Sequence, residues 1–214
     1  MNARDRILGR IRSAQKKSAV GAHQETIASY LAQHPRGPLP PPLGDLVACF
    51  KERALKLSSD VLETNDRMEV PGLLAGYLSE QKLPMRGVCW TSLAGLPWST
   101  AGLDMQSRLA KDHDLVGVTG AFCAIAETGT LMLLSGAETP ATTSLLPETH
   151  VAVLDPSRIV ATMEDAWDLM RKECKQPPRA VNFISGPSRT ADIEQTVTLG
   201  AHGPYRVLLI LAPL

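Results

Sequence analysis

The chain has 214 residues, 22 of them Lys or Arg and 22 Asp or Glu, with 44% hydrophobic and 4% aromatic side chains. That apolar share fills the core of one α/β domain with an appendage, and it excludes a disordered chain. The zero formal charge excludes bulk attraction to nucleic acid or an anionic membrane surface, and the scarcity of aromatic rings excludes a stacking platform for single strands.

Residues 3 to 17 read as a helix with a narrow apolar stripe, Ile7, Leu8 and Ile11, on an otherwise basic surface that includes Arg4, Arg6, Arg10 and Arg12. Such a surface either docks on an acidic partner or stays solvated while the stripe packs at home. The run Gly37 to Pro42, GPLPPP, excludes helix and central strand and reads as an extended connector. Residues 1–42 are thus expected to form an N-terminal helical arm and connector, and residues 43–214 an α/β domain.

Within that domain, helix is expected over Leu43 to Leu57 and Val70 to Glu80. A further helical stretch opens at Asp155-Pro156-Ser157 and runs through Met163 to Lys172, and another spans Thr190 to Leu199. Strands are expected at Asp60 to Glu63, Gly87 to Trp90, Leu115 to Val118, Gly129 to Leu134, His150 to Leu154, Val181 to Ile184 and Arg206 to Leu211. Alternation of helices with continuous apolar strands predicts a mostly parallel sheet flanked by helices. In such a sheet, ligands bind in the loops beyond the carboxyl ends of the strands.

The N-terminus, Met1 to Arg6, is followed by no apolar segment of the signal-peptide type, and no apolar run approaches the roughly 20 residues that span a bilayer. A cytoplasmic protein without membrane contact is expected. Cys49, Cys89, Cys123 and Cys174 are far apart, with no CxxC pair, so no zinc or iron–sulfur site is expected on this chain. The dinucleotide-binding, phosphate-loop, nucleophile-elbow and HExxH signatures are absent.

Four segments hold residue types suited to chemistry. Glu127-Thr128-Gly129 lies between two apolar stretches, where a carboxylate is costly to bury without a partner or a task. It is either a catalytic or ligand-orienting group, or part of a turn that bonds to backbone. Ser188, Arg189 and Thr190 follow a Gly186-Pro187 turn, and the expected helix would begin there, with Glu194 closing a capping box. A helix start of that kind binds anions, and Arg189 suits a bidentate contact to a carboxylate, but a capped helix with a surface arginine has the same residues. His202, near Gly203, either titrates and meets a ligand or caps the end of that helix. His150 either lines the cleft of Glu127 or is a buried strand residue.

Taken in order and spacing over about residues 60 to 212, AETGT at Ala126 to Thr130, LLPETHV at Leu145 to Val151, SGPSRTADIE at Ser185 to Glu194 and LGAHGP at Leu199 to Pro204 resemble the LUD domain of the lactate utilization protein C (LutC/YkgG) family. The resemblance implies a fold like the NagB/RpiA/CoA-transferase group. It implies a subunit with no cofactor of its own, working beside iron–sulfur partner subunits that carry the clusters, in the oxidation of L-lactate to pyruvate. A small carboxylate would then be held by Ser188, Arg189 and Thr190 together with Thr128 and Gly129, while Glu127 and His202 orient it or exchange protons with it. A weaker likeness links Glu127-Thr128-Gly129 to the nucleophilic Glu-x-Gly turn of class I CoA transferases. That likeness leaves open an acyl- or CoA-handling enzyme with Glu127 as nucleophile, and a non-catalytic interaction module is the remaining alternative.

Overall fold

The computed structural model describes residues 2–14, 20–38, 41–191 and 196–213, with backbone alone at 20–25. Two units divide the chain, Met1–Pro41 and Pro42–Leu214. The first holds α1 (Ala3–Ala14) and α2 (Val20–Gln33), and no residue of α1 is buried. The expected helix over 3–17 reaches Ala14, and residues 15–17 lie outside the described residues.

The second unit runs α3 (Leu46–Lys56), β1 (Asp60–Glu63), α4 (Val70–Glu80), β2 (Arg86–Cys89), β3 (Asp104–Gln106), β4 (Val116–Gly120), β5 (Cys123–Ile125), β6 (Thr130–Leu134), α5 (Thr142–Leu145), β7 (Thr149–Leu154), β8 (Ile159–Val160), α6 (Met163–Glu173), β9 (Val181–Ile184), β10 (Arg189–Thr190), β11 (Thr198–Leu199) and β12 (Arg206–Leu211). Its centre is a six-stranded sheet in the order β1-β12-β7-β4-β2-β3, parallel at every pairing. A sheet covered on both faces calls for continuous apolar runs in its central strands, and VAVL of β7 and VLLIL of β12 supply them.

The layers follow from which way those side chains point. Val116, Val118, Val151, Val153, Leu208 and Ile210 face α4, where Leu74 and Leu78 meet them with no exposed surface. Ala152, Leu154, Leu209 and Leu211 face the other way, onto Phe50 and Ala54 of α3 and onto a second sheet. Full burial of each leucine contributes about 1.5–3 kcal/mol, so these two faces hold the layers together. The second sheet has the order β8-β5-β6-β9, with β5 and β6 forming a hairpin. Ala124, Leu131 and Leu133 turn inward from it, while Cys123, Ile125 and Met132 turn outward onto Ala166 and Met170 of α6.

Two expectations need correction. The helical stretch from 155 to 172 is broken. Asp155 caps a single 3-10 turn at Pro156–Arg158, then β-branched Ile159 and Val160 pair with β5 as β8. Only then does α6 start, at a capping box made by Thr162 and Asp165. The helix over Thr190 to Leu199 is also not formed at its described residues. Arg189 and Thr190 pair antiparallel with Leu199 and Thr198, which suits the β-branched run Thr196-Val197-Thr198. Asp192 and Glu194, with the capping box expected there, lie outside the described residues.

Candidate functional site

In the parallel sheet, β2 continues to β3 on one side, whereas β4 continues through the hairpin and α5 to β7 on the other. Strands β2 and β4 are neighbours, so the connections that leave their carboxyl ends run opposite ways and open a crevice, the place where open α/β sheets hold ligands. A cavity of about 500 Å³ lies there. Trp90 and Ser92 reach it from beyond β2, Gly120 from the last position of β4, Phe122 from beyond β4, Ser135 from the end of β6, and Arg67 from the connection between β1 and α4.

Local geometry holds Arg67 in place. Asp66 caps a 3-10 turn, Arg67–Glu69, accepting the Met68 N–H at 2.8 Å, while Thr64 Oγ1 accepts the Asp66 N–H at 3.1 Å. The guanidinium then donates from Nη2 to the Ser92 carbonyl at 3.1 Å. Its Nε is buried and has no hydrogen-bond partner, and Arg67 forms no ion pair with a described carboxylate. Three other cations of the domain, by contrast, are paired: Lys51 with Glu63, Arg108 with Asp114, Arg158 with Glu173. Phe122 is fixed from behind, with the Arg158 guanidinium 4.8 Å from its ring centroid and donating from Nε to its carbonyl at 2.9 Å. Trp90 Nε1 donates to the Pro140 carbonyl at 3.2 Å.

The residues singled out from the sequence sit elsewhere, and none of them lines this cavity. Glu127 is half-buried in the β5–β6 turn, and its Oε1 accepts the Met163 N–H at 2.8 Å, at the start of α6. Thr128 is exposed. Gly129, at φ +66°, donates its N–H to the Ile125 carbonyl at 2.9 Å and lies against Arg53 and Ala54 of α3. Arg189 donates to Ser58 Oγ at 2.6 Å and to the Leu57 carbonyl at 3.3 Å. The Glu127–Gly129 turn and Arg189 therefore converge on the end of α3. Ser188 donates its N–H to the Pro204 carbonyl and accepts the Gly200 N–H, both at 2.9 Å. With Thr190 paired in β10, no helix start stands at 188–190 to receive an anion, and no helix end stands at Leu199 for His202 to cap. His202 is exposed.

His150 is a fully buried strand residue, its Nε2 2.8 Å from Thr119 Oγ1 and its Nδ1 without a partner. Burial holds its pKa down at about 4. Burial likewise pushes the Cys89 and Cys123 thiols up to about 11, so both stay protonated and unreactive at neutral pH. Among the described residues no three His, Cys, Asp or Glu side chains are placed to hold a metal ion, and no helix is long and apolar enough to cross a membrane.

Comparison with known proteins now adds a family. The model of the LUD domain matches residues 98–212. The lactate utilization protein C of Halalkalibacterium halodurans is 38% identical over 182 residues, covering 78% of each chain. That of Bacillus subtilis is 29% identical over 187 residues, again 78% of each. The chain belongs to the LUD-domain family of lactate utilization C proteins. A crystal structure of a DUF162 family protein from Deinococcus radiodurans shares the fold of this LUD domain, with a TM-score of 0.60 and 24% identity over 80% of this chain and 99% of that one. The matched span of the LUD domain takes in Gly120, Phe122 and Ser135 of the cavity and leaves out Arg67 and Trp90. Sequence reasoning missed both of those residues. The rule that ligands sit beyond strand ends covers their loops, but neither loop carries a motif.

Proposed function

We propose that this chain serves L-lactate utilization in the cytoplasm, as the subunit without a cluster in a system that oxidises L-lactate to pyruvate. The two electrons released pass to iron–sulfur clusters on partner subunits, and the two protons pass to solvent. The observation that carries this reading is the 38% identity, along 78% of both chains, to a relative named lactate utilization protein C. The cavity between β2 and β4 supports a part in binding a small carboxylate, because it is concave, mostly apolar and supplied with one free cation site at Arg67. The segment at 188–190 is the weaker place for that carboxylate, because the N–H of Ser188 is taken by Pro204 and β10 is paired with β11.

The test is growth on L-lactate as sole carbon source by a host lacking this gene. Deletion is expected to abolish growth, and the intact gene to restore it. Unchanged growth in a host with no second lactate system overturns the role. The purified chain alone is expected to turn over no L-lactate with a dye acceptor, and turnover would sink the accessory-subunit form.

A further inference from the structure

We propose that the cavity between β2 and β4 binds an organic acid with an apolar body larger than that of lactate, its carboxylate held by Arg67. This deepens the role proposed above by naming the ligand class of the cleft, and it rests on that cleft being the ligand site.

The anion follows from Arg67. A buried guanidinium N–H without an acceptor is costly, so folded proteins leave few of them. Here Nε is closed off from solvent without a partner, while Nη2 is tied to the Ser92 carbonyl, so the group is held still at the cavity wall with Nη donors to spare. A carboxylate on those Nη donors supplies an acceptor and the missing negative charge together. The loop around it adds no competing acid to the guanidinium: Asp66 is spent on the Met68 N–H and Glu69 on Thr64.

The apolar body follows from size and lining. About 500 Å³ falls within the roughly 300–1,000 Å³ of pockets that enclose ligands of many more atoms than lactate. Lactate held at Arg67 leaves Phe122 and Leu134 facing water inside a concave space. A larger hydrocarbon or ring covers them and gains affinity with the apolar area it removes from water.

Calorimetric titration of the purified full-length chain with phenyllactate, L-lactate, 3-phenyl-1,2-propanediol and inorganic phosphate tests both halves. Phenyllactate is expected to bind at least tenfold more tightly than L-lactate, phosphate or the uncharged diol. Arg67→Gln is expected to weaken phenyllactate ten- to a hundredfold, with Arg67→Lys between, while the urea midpoint of Arg67→Gln stays at or above that of wild type because an unsatisfied donor has been removed. Ala121→Phe, which fills the cavity and leaves Arg67 in place, is expected to abolish binding. No binding of phenyllactate at millimolar concentration, or binding indifferent to both substitutions, overturns the site. Phosphate or L-lactate binding as tightly as phenyllactate overturns the apolar body. A chain that fails these titrations while its deletion still abolishes growth on L-lactate loses the site and keeps the role; the reverse pattern loses the role and keeps the site.

Discussion

The Glu127 carboxylate accepts the Met163 N–H at 2.8 Å, closing the first turn of α6 from the hairpin of the neighbouring sheet. The same turn has its own capping box, in which Thr162 Oγ1 takes the Asp165 N–H at 3.2 Å and Asp165 takes the Thr162 N–H at 3.1 Å. Glu127 adds a further satisfied donor and a negative charge at the positive end of the helix. Glu127→Ala is expected to cost about 1–2 kcal/mol in urea unfolding, and Glu127→Gln less, because the amide oxygen still accepts. Glu127→Gln is expected to support growth on L-lactate as wild type does. Loss of growth from a variant that accumulates and unfolds normally would give the carboxylate a chemical task.

Gly129 and Gly186 dock on one structure, the end of α3. A Cβ on Gly129, at φ +66°, would lie 2.7 Å from the Ala54 nitrogen, and one on Gly186, at φ +79°, 2.3 Å from the Leu57 carbonyl oxygen. Both obstacles are backbone, and both φ values disfavour any side chain. Gly129→Ala and Gly186→Ala are each expected to lose about 2 kcal/mol or more by urea unfolding. Gly76, inside α4 with nothing within 4 Å of its would-be Cβ, is the control of opposite sign. Gly76→Ala is expected to gain about 0.5–1 kcal/mol. Equal responses at the three sites would remove the packing explanation.

The Gly129 and Gly186 contacts also explain how much could be read from the sequence. The strands Asp60–Glu63, Val181–Ile184 and Arg206–Leu211 and the helix Val70–Glu80 stand where they were expected, because turn or polar residues bound each one. The β5–β6 hairpin was half legible. Its second strand is a continuous apolar run, but Cys-Ala-Ile of β5 is too short and too small to signal a strand beside Gly120-Ala121. The motifs around Glu127 and Arg189 were visible as motifs, yet their glycines and Arg189 are spent on contacts to α3, more than 70 residues earlier in the chain in each case. What sets Arg67 apart, a buried Nε without a partner, is the outcome of tertiary packing and has no counterpart in the residue order.

Arg108 and Asp114 close the loop between β3 and β4 through a two-pronged ion pair, Nη1 to Oδ2 at 2.6 Å and Nη2 to Oδ1 at 2.8 Å, with the Lys111 N–H adding a third bond to Oδ2 at 2.8 Å. Asp114 is buried, whereas Arg108 reaches solvent. Removing the two partners therefore has unequal effects. After Asp114→Asn, water can take up the freed guanidinium. After Arg108→Gln, a buried carboxylate is left with the Lys111 N–H alone. Arg108→Gln is expected to cost about 2–4 kcal/mol and Asp114→Asn about half of that, read from urea midpoints at pH 7. The reverse order would mean that the arginine is the more desolvated partner.

Two buried groups place acid sensitivity in separate windows. His150 has its pKa held down at about 4 by burial, against about 6.5 in the unfolded chain. Between those values the unfolded chain takes up a proton that the folded chain refuses, so unfolding becomes easier as the pH falls from about 6.5 to about 4, by on the order of 3 kcal/mol, and His150 contributes nothing further below that. Asp114 has its pKa held down at about 2, chiefly by the hydrogen bond from Arg108. Its contribution is complete above about pH 4 and is lost as the pH falls toward 2. Urea unfolding of wild type across pH 7 to 2 is therefore expected to lose stability in both windows. His150→Gln, which keeps a polar atom for Thr119, is expected to flatten the upper window and leave the lower one, and Asp114→Asn to do the opposite. An upper window that survives His150→Gln would show that the acid sensitivity there belongs to another group.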